Sequence, residues 1–316
     1  MTDKLKSKIT NPIIVCAVAA LCCLLWGSAF PVIKIGYELL DVASEDYMSQ
    51  ILFAGIRFTL AGAFTIMFGS VLSKKFLKVK KSGIYKIPVL ALFQTILQYL
   101  FFYIGLARTT GTKSSILDST SVFFSVIIAS LILRQEKLTV KKIIGCILGF
   151  AGVVIINLSD GGIDTDMTFA GEGFIVISAL SYAVSSVMIK RFSKDDSPVA
   201  LSGYQFVFGG LAMIAVGAVG GGKIHFNSIK AAAVILYLSL LSAVAYTLWG
   251  ILLKYNPVSR VTVFGFMTPV FGCILSALLL GESLVGNGIK TIIALLLVCA
   301  GIFIVNIKIG GEKYES

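Results

Sequence analysis

The sequence predicts an all-α polytopic membrane protein whose ten transmembrane helices form two inverted five-helix repeats. Three observations predict this class. The 316 residues are 57% hydrophobic and 14% charged, with a mean hydropathy of +0.94, which leaves too little polar surface for a soluble globule. Long apolar runs recur along the whole chain. Parts of the sequence also occur twice.

The apolar runs each contain about 20 residues, the length that crosses a hydrocarbon core as a helix. They are continuous rather than alternating, so they predict helices and not the strands of a barrel. In chain order, the predicted spans are residues 12–34, 48–70, 84–106, 112–133, 139–158, 171–191, 198–220, 231–253, 258–280 and 287–308.

The repeat relates the second half of the chain to the first. The apolar run that ends at Glu136 recurs 146 residues later at Glu282, and Ala151–Asn157 resembles Ala300–Asn306. We therefore divide the chain into residues 1–158 and residues 171–316, with one five-helix repeat in each. The basic residues that surround Glu136 are largely missing around Glu282. Two halves of opposite orientation in a membrane would carry such a difference.

Positively charged side chains predict the orientation. With the N-terminal tail in the cytoplasm, most of the 27 Lys and Arg residues fall in cytoplasmic segments, which is the usual bias of membrane proteins. We therefore expect a multi-pass protein of the plasma (inner) membrane with both termini in the cytoplasm. Because topology explains the net charge of +11, the basic composition does not indicate nucleic-acid binding.

The cysteine and histidine content argues against catalysis. All six cysteines fall inside predicted spans without a Cys-x-x-Cys pair, and His225 is the single histidine. This pattern favours neither a metal site nor a catalytic triad, so we predict no catalytic residue, no metal and no cofactor. The stripe Gly145, Gly149 and Gly152 indicates close helix packing, either within a monomer or across a homodimer.

Short motifs carry a family resemblance. Trp26-Gly27-Ser28-Ala29-Phe30 lies in the first span, Arg57-Phe58 in the second, and Pro269-Val270-Phe271 leads into Leu280-Gly281-Glu282. In this order they resemble the EamA-type branch of the drug/metabolite transporter superfamily over nearly the whole chain. Phe123 stands where the first repeat of that family often has proline. We therefore expect the fourth helix to be straighter than the ninth.

The resemblance implies a secondary transporter in the lipid bilayer that exports amino acids or other small organic solutes by alternating access. Two alternatives stay open. One is a carrier of nucleotide sugars, sugar phosphates or lipid-linked solutes from the same superfamily, and the other is a membrane-embedded enzyme or receptor. Phosphate-bearing substrates would call for several buried cations, whereas Arg57 is the one Lys or Arg deep inside a predicted span.

Polar and aromatic residues at helical spacing predict the substrate pathway. Polar groups inside a bilayer face the bundle interior or water, although contact between helices is the alternative explanation for each. In the third and eighth spans they form stripes three or four residues apart. Trp26 and Tyr182 occupy matching places in the two repeats. The predicted pathway residues are Trp26, Gln94, Gln98, Tyr99, Tyr182, Ser242, Tyr246 and Trp249.

Arg57 and Asp118 are the clearest ionisable residues within spans. Both lie at similar depth from the outer face, and their repeat counterparts are the uncharged Gln205 and Phe264. A lone charge in a helix centre costs roughly 3 kcal/mol on insertion scales. We therefore expect an ion pair between them, from which Asp118 takes up a proton during transport. A static bridge and the absence of contact are the alternatives.

Overall fold

The computed structural model describes residues 9–43, 45–106, 108–109, 111–156, 168–226, 228–280 and 288–307. Over these ranges the chain is helical and contains no strand. The helices, numbered in chain order, are α1 (Pro12–Leu39), α2 (Tyr47–Ser73), α3 (Lys81–Leu106), α4 (Gly111–Asp118 and Ser121–Ile127, with a π-helical end at Ile128–Ile132), α5 (Val140–Ile156), α6 (Phe169–Phe192), α7 (Pro198–Val219), α8 (Ile229–Tyr255), α9 (Val258–Leu280) and α10 (Gly288–Asn306).

The helices have the composition of a multi-pass membrane protein. In the described ranges, eight of them are long and apolar enough to cross a bilayer: α1, α2, α3, α6, α7, α8, α9 and α10. Within α4, Ile116–Ile132 is a shorter apolar helix, and α5 has 17 residues. The number of ten spans, the inverted orientation and the cytoplasmic termini stay predictions. The turn at Glu282 lies outside the described residues.

Polar side chains cap the first turns of several helices. Asn11 accepts a hydrogen bond from the Ile13 N–H and precedes Pro12, a residue suited to the first helical turn. Asp46 accepts from the N–H and hydroxyl of Ser49 at 3.0 and 2.6 Å. These two bonds lower the pKa of the Asp46 carboxyl. Each cap therefore satisfies donors that the first turn of a helix would otherwise leave unpaired.

Helix packing follows the same rule in both halves. Helix α1 packs against α8 and α9, and α6, five helices later, packs against α3 and α4. The contact of α2 with α8 likewise matches the contact of α7 with α3. Two further pairs, α2 with α7 and α5 with α10, join helices that are five apart. A five-plus-five repeat predicts this arrangement of contacts.

Glycines allow those two pairs to approach backbone to backbone. A Cβ atom at Gly62 would lie 2.6 Å from the Gly203 carbonyl oxygen, which defines the α2–α7 seam. One at Gly145 would lie 2.7 Å from the Gly301 carbonyl oxygen, which defines the α5–α10 seam. The predicted Gly145 stripe thus packs within the chain. This packing removes the stripe as an argument for a homodimer.

The expectation that α4 is straighter than α9 was wrong. Helix α9 is interrupted by a 3₁₀ turn at Val263–Phe266, just before Pro269, whose missing N–H breaks the helical hydrogen bonding. Helix α4 is interrupted as well, at Ser119–Thr120. There the Ser119 and Thr120 hydroxyls donate to backbone carbonyls three residues earlier, at 2.6 and 2.5 Å. Such side-chain bonds compete with the backbone hydrogen bonds of the helix. They therefore interrupt α4 although Phe123 stands where the family often has proline.

Candidate binding site

Four of the predicted pathway residues meet as an aromatic cluster in the middle of the bundle. The Trp26 ring on α1 contacts Trp249 and Tyr246 on α8, with ring centroids 4.9 and 5.1 Å apart. It also approaches Tyr182 on α6, edge to face, at 6.4 Å. Edge-to-face geometry is favourable for aromatic pairs. We call Trp26, Tyr182, Tyr246 and Trp249 the aromatic cluster; it joins the first half of the chain to the second.

Helices α2, α3 and α7 extend this cluster. The hydroxyls of Tyr99 and Tyr246 are hydrogen-bonded at 2.8 Å. The Phe58 ring lies 4.5 Å from Tyr99 and 5.2 Å from Phe206, and Phe206 lies 4.9 Å from Tyr246. Phe58 and Phe206 were not among the predicted site residues, because a phenylalanine in an apolar span gives no signal that separates lining from packing.

Arg57 lies beside the aromatic cluster and is only 2% exposed. Its Nε and Nη2 atoms donate to the Ser242 hydroxyl at 3.3 and 3.1 Å, and its guanidinium lies 4.7 Å from the Phe58 ring centroid. Nη1 has no hydrogen-bond partner among the described residues. Ser242, one of the predicted pathway residues, therefore lies at the site as the hydrogen-bond partner of Arg57.

The predicted ion pair between Arg57 and Asp118 is absent from this conformation. No ion pair of the described residues joins them. Asp118 ends the first segment of α4, which packs against α6, and there it interacts electrostatically with Tyr182. Similar depth along two helices does not fix their rotation, and the rotation directs Arg57 towards α8 and Asp118 towards α6.

The two glutamines of α3 have different surroundings. The Gln94 Oε1 atom accepts from Gln205 Nε2 on α7 at 3.2 Å, and Gln205 accepts from Thr95 at 2.8 Å. This buried network favours the packing explanation for Gln94. The Gln98 side chain instead lies beside the Tyr246 hydroxyl, and its Oε1 has no partner in the described part of the chain. Gln94 lies inside the π-helical segment Leu92–Leu97, which ends just before Gln98. This segment changes the relative facing of the two side chains from the one that α-helical spacing predicts.

The two halves place related contacts at matching positions. Gln205 lies 148 residues after Arg57, and Ser242 lies 148 residues after Gln94. The bond between Arg57 and Ser242 is therefore the counterpart of the bond between Gln205 and Gln94. The Gln205 site is neutral and its polar side chains bond to one another, whereas the Arg57 site carries a positive charge.

Polar contacts join several helices at the end of the bundle that is predicted to face the cytoplasm. The Glu136 carboxylate accepts from the Ser259 N–H at 3.0 Å and from its hydroxyl at 2.9 Å, at the start of α9. Lys142 lies 3.4 Å from the same carboxylate. Nearby, Lys190 on α6 donates to the Asn256 carbonyl oxygen at 2.5 Å. These contacts tie the α4–α5 turn and α6 to the segment between α8 and α9.

The structure is a helix bundle of membrane-spanning composition with a buried aromatic and polar centre, a feature that transporters with substrate sites between their halves share. Within the described ranges, no group of three or more His, Cys, Asp or Glu side chains is arranged to hold a metal ion. The EamA-like transporter family model matches residues 13–158 and 169–307. The chain therefore belongs to the EamA-like transporter family, as its motifs indicated.

Relatives agree with this assignment, and a solved structure shares the fold. An uncharacterized transporter of Archaeoglobus fulgidus is 30% identical over 295 residues, covering 92% of this chain and 96% of its own. A chloroplastic WAT1-related protein of Arabidopsis thaliana is 27% identical over 289 residues, covering 86% of this chain and 66% of that one. A crystal structure matches with a TM-score of 0.73 at 16% identity, covering 92% and 96% of the two chains. That likeness concerns the fold.

Proposed function

We propose that the protein is a secondary active transporter of the plasma (inner) membrane that exports amino acids or other small organic solutes. The observation that carries this proposal is the meeting of polar and aromatic side chains from both halves in the middle of the bundle. Trp26, Arg57 and Tyr99 come from the first half, and Tyr182 and Tyr246 come from the second. Transporters built from repeats bind their substrates where the repeats face each other.

Unsatisfied polar atoms favour a binding role over simple packing. The indole nitrogens of Trp26 and Trp249 and the amide oxygen of Gln98 are buried without a hydrogen-bond partner in the described ranges. Buried polar groups are normally hydrogen-bonded, because leaving one unpaired is costly. A polar solute that reaches these atoms would satisfy them. We therefore propose that Trp26, Gln98, Tyr99, Tyr182, Ser242, Tyr246 and Trp249 line the substrate pathway.

Alternating access would follow from relative movement of the two halves. The contact of Glu136 with Ser259 joins the α4–α5 turn to α9, and we propose that it breaks when this end of the bundle opens. For coupling, we propose protonation of Asp118, whose neighbour Tyr182 belongs to the aromatic cluster. A proton on Asp118 would thus change the electrostatic surroundings of the site itself.

Transport by the purified protein in proteoliposomes tests the proposal. Labelled amino acids and related metabolites are offered with and without a pH gradient, and we expect gradient-dependent movement of at least one solute class. Gln98→Leu, Tyr246→Leu and Trp249→Leu should each change transport rate or substrate preference at near-normal folded yield. The matched control is Tyr85→Leu, at an exposed tyrosine of α3. Loss of folded protein with unchanged specific transport would favour the packing explanation.

Asp118→Asn tests proton coupling separately. The variant keeps the size of the side chain but cannot exchange a proton. We expect it to retain substrate binding and to lose the dependence of transport on pH. Transport with an unaltered pH dependence would exclude Asp118 as the coupling group.

A further inference from the structure

We propose that Arg57 binds the carboxylate of the transported solute and that the aromatic cluster receives the apolar part of the same molecule. This inference deepens the proposed function and rests on it. The solute class is an organic monocarboxylate with an aromatic or branched body, which includes zwitterionic amino acids.

The first step concerns charge. The Arg57 guanidinium is buried, and a guanidinium keeps its charge in proteins. Its contacts are the neutral Ser242 hydroxyl and the face of the Phe58 ring. Across the described part of the chain no carboxylate pairs with it, and Nη1 has no partner. Buried charges are normally paired, so this site lacks one negative charge.

The second step is the comparison with the other half. At the matching place, Gln205 bonds to Gln94 and Thr95 and is fully buried. That network shows that a neutral side chain with internal partners suits this position in the fold. Packing alone therefore does not explain an arginine at residue 57, whereas a negatively charged ligand does.

The third step is the chemistry around the guanidinium. Tyr37, Tyr99, Tyr103 and Tyr246 all interact electrostatically with Arg57. The Tyr37 and Tyr103 side chains also interact with each other. Each can donate a hydrogen bond, as can the guanidinium. A planar carboxylate accepts such bonds and matches the fork of an arginine.

The fourth step concerns the rest of the ligand. Tyr246 links the two parts of the site, because its hydroxyl bonds to Tyr99 while its ring contacts Trp26. Trp249 completes an aromatic surface beside that contact. An apolar or aromatic group would pack there. One cation suits one negative charge, so a phosphate dianion would remain incompletely neutralised.

Tryptophan fluorescence measures binding at this site directly. The chain has two tryptophans, Trp26 and Trp249, and both belong to the aromatic cluster. The purified full-length protein is titrated with four probes: 3-phenylpropionate, its neutral amide 3-phenylpropanamide, phenylalanine and phenyl phosphate. We expect 3-phenylpropionate and phenylalanine to bind about tenfold to hundredfold more tightly than the amide, as hydrogen bonds to a charged group imply.

Variants test the role of Arg57 in the same assay. Arg57→Gln introduces the residue found at the matching position and should abolish the preference for acid over amide. Arg57→Lys keeps the charge without the fork and should retain part of that preference. Arg191→Gln, at an exposed position at the end of α6, is the matched control and should bind as the wild type does. Thermal unfolding without ligand verifies that each variant is folded.

Specific outcomes would overturn the inference. Equal binding of acid and amide by the wild type would exclude a carboxylate site, and this comparison needs no variant. No response to any probe would exclude it too. Binding of phenyl phosphate without binding of the acids would assign the site to phosphate groups instead. If the acid preference is present but no probe crosses proteoliposome membranes, the binding inference stands and the transport proposal fails.

Discussion

Replacing Glu136 should open the end of the bundle that this residue closes. In Glu136→Ala, the N–H and hydroxyl of Ser259 lose their acceptor and Lys142 loses its carboxylate partner. A hydrogen bond to a charged group contributes roughly 1.5 kcal/mol, so two lost bonds weaken the closed state by about 3 kcal/mol. Every 1.4 kcal/mol is about a tenfold change in an equilibrium, so the open population should rise by about a hundredfold.

Native Cys146 can report this opening. It is 2% exposed and interacts electrostatically with Lys142 and Glu136. In a protein that retains Cys146 as its single cysteine, a water-soluble thiol reagent should label Glu136→Ala about a hundredfold faster than the parent protein if labelling follows the open population. The control is Glu45→Ala, at an exposed acidic residue of the α1–α2 loop. Identical labelling rates in the two variants would refute the idea that Glu136 holds this end closed.

Three further predictions concern orientation and stability. Single cysteines in the turns at Glu136 and Glu282 should react with an impermeant reagent from opposite sides of the membrane; reaction from the same side contradicts the inverted repeat. Asp196→Ala leaves the buried Lys86 ammonium with only Asp195, at 3.3 Å, and should lower the free energy of unfolding by about 3 kcal/mol in thermal or denaturant unfolding. Gly62→Ala should destabilise the α2–α7 seam by about 1 to 3 kcal/mol, whereas lipid-facing Ala63→Leu should unfold as the wild type does.

The surroundings of Asp196 also predict that the folded protein loses stability in acid. Burial raises the pKa of Asp196, but hydrogen bonds from Lys86 and the Lys80 N–H outweigh burial and hold this pKa below its usual value. A carboxyl whose folded pKa is lowered stabilises the protein above its unfolded pKa, near 4. That contribution is lost as the pH falls through the lower, folded pKa. Asp196→Ala should therefore remove part of the acid sensitivity of unfolding, and an unchanged pH profile would contradict this assignment.

The aromatic part of the candidate site could be predicted because helical spacing indicates Tyr246 and Trp249, and the repeat pairs Trp26 with Tyr182. Tyr246 and Trp249 lie three residues apart, and their stripe does face the bundle interior. Tyr103 was missed although it lies four residues after Tyr99, on the same helical face. Gln94 was assigned to the pathway because an uninterrupted α-helix was assumed, and the π-helical segment of α3 alters its direction.

Contacts between distant helices were harder to predict. The direct pairing of Arg57 with Asp118 was inferred from depth, but depth carries no information on how each helix is rotated. The α2–α7 seam had a signal that was not used: Gly55 and Gly62 are seven residues apart on α2, as are Gly203 and Gly210 on α7. Two glycine stripes of equal spacing favour each other as partners, because both backbones can then approach at two levels.

The two seams also restrict where the molecule can bend. Helices whose backbones approach this closely have little side-chain layer between them that could slide or repack. We therefore expect α2 with α7 and α5 with α10 to behave as two rigid ribs. Relative movement of the two halves should therefore pivot about these ribs, and the contacts that change should be those among α1, α3, α4, α6, α8 and α9. A chemical cross-link across a seam should therefore leave turnover intact, whereas the same cross-link between α1 and α8 should stop it.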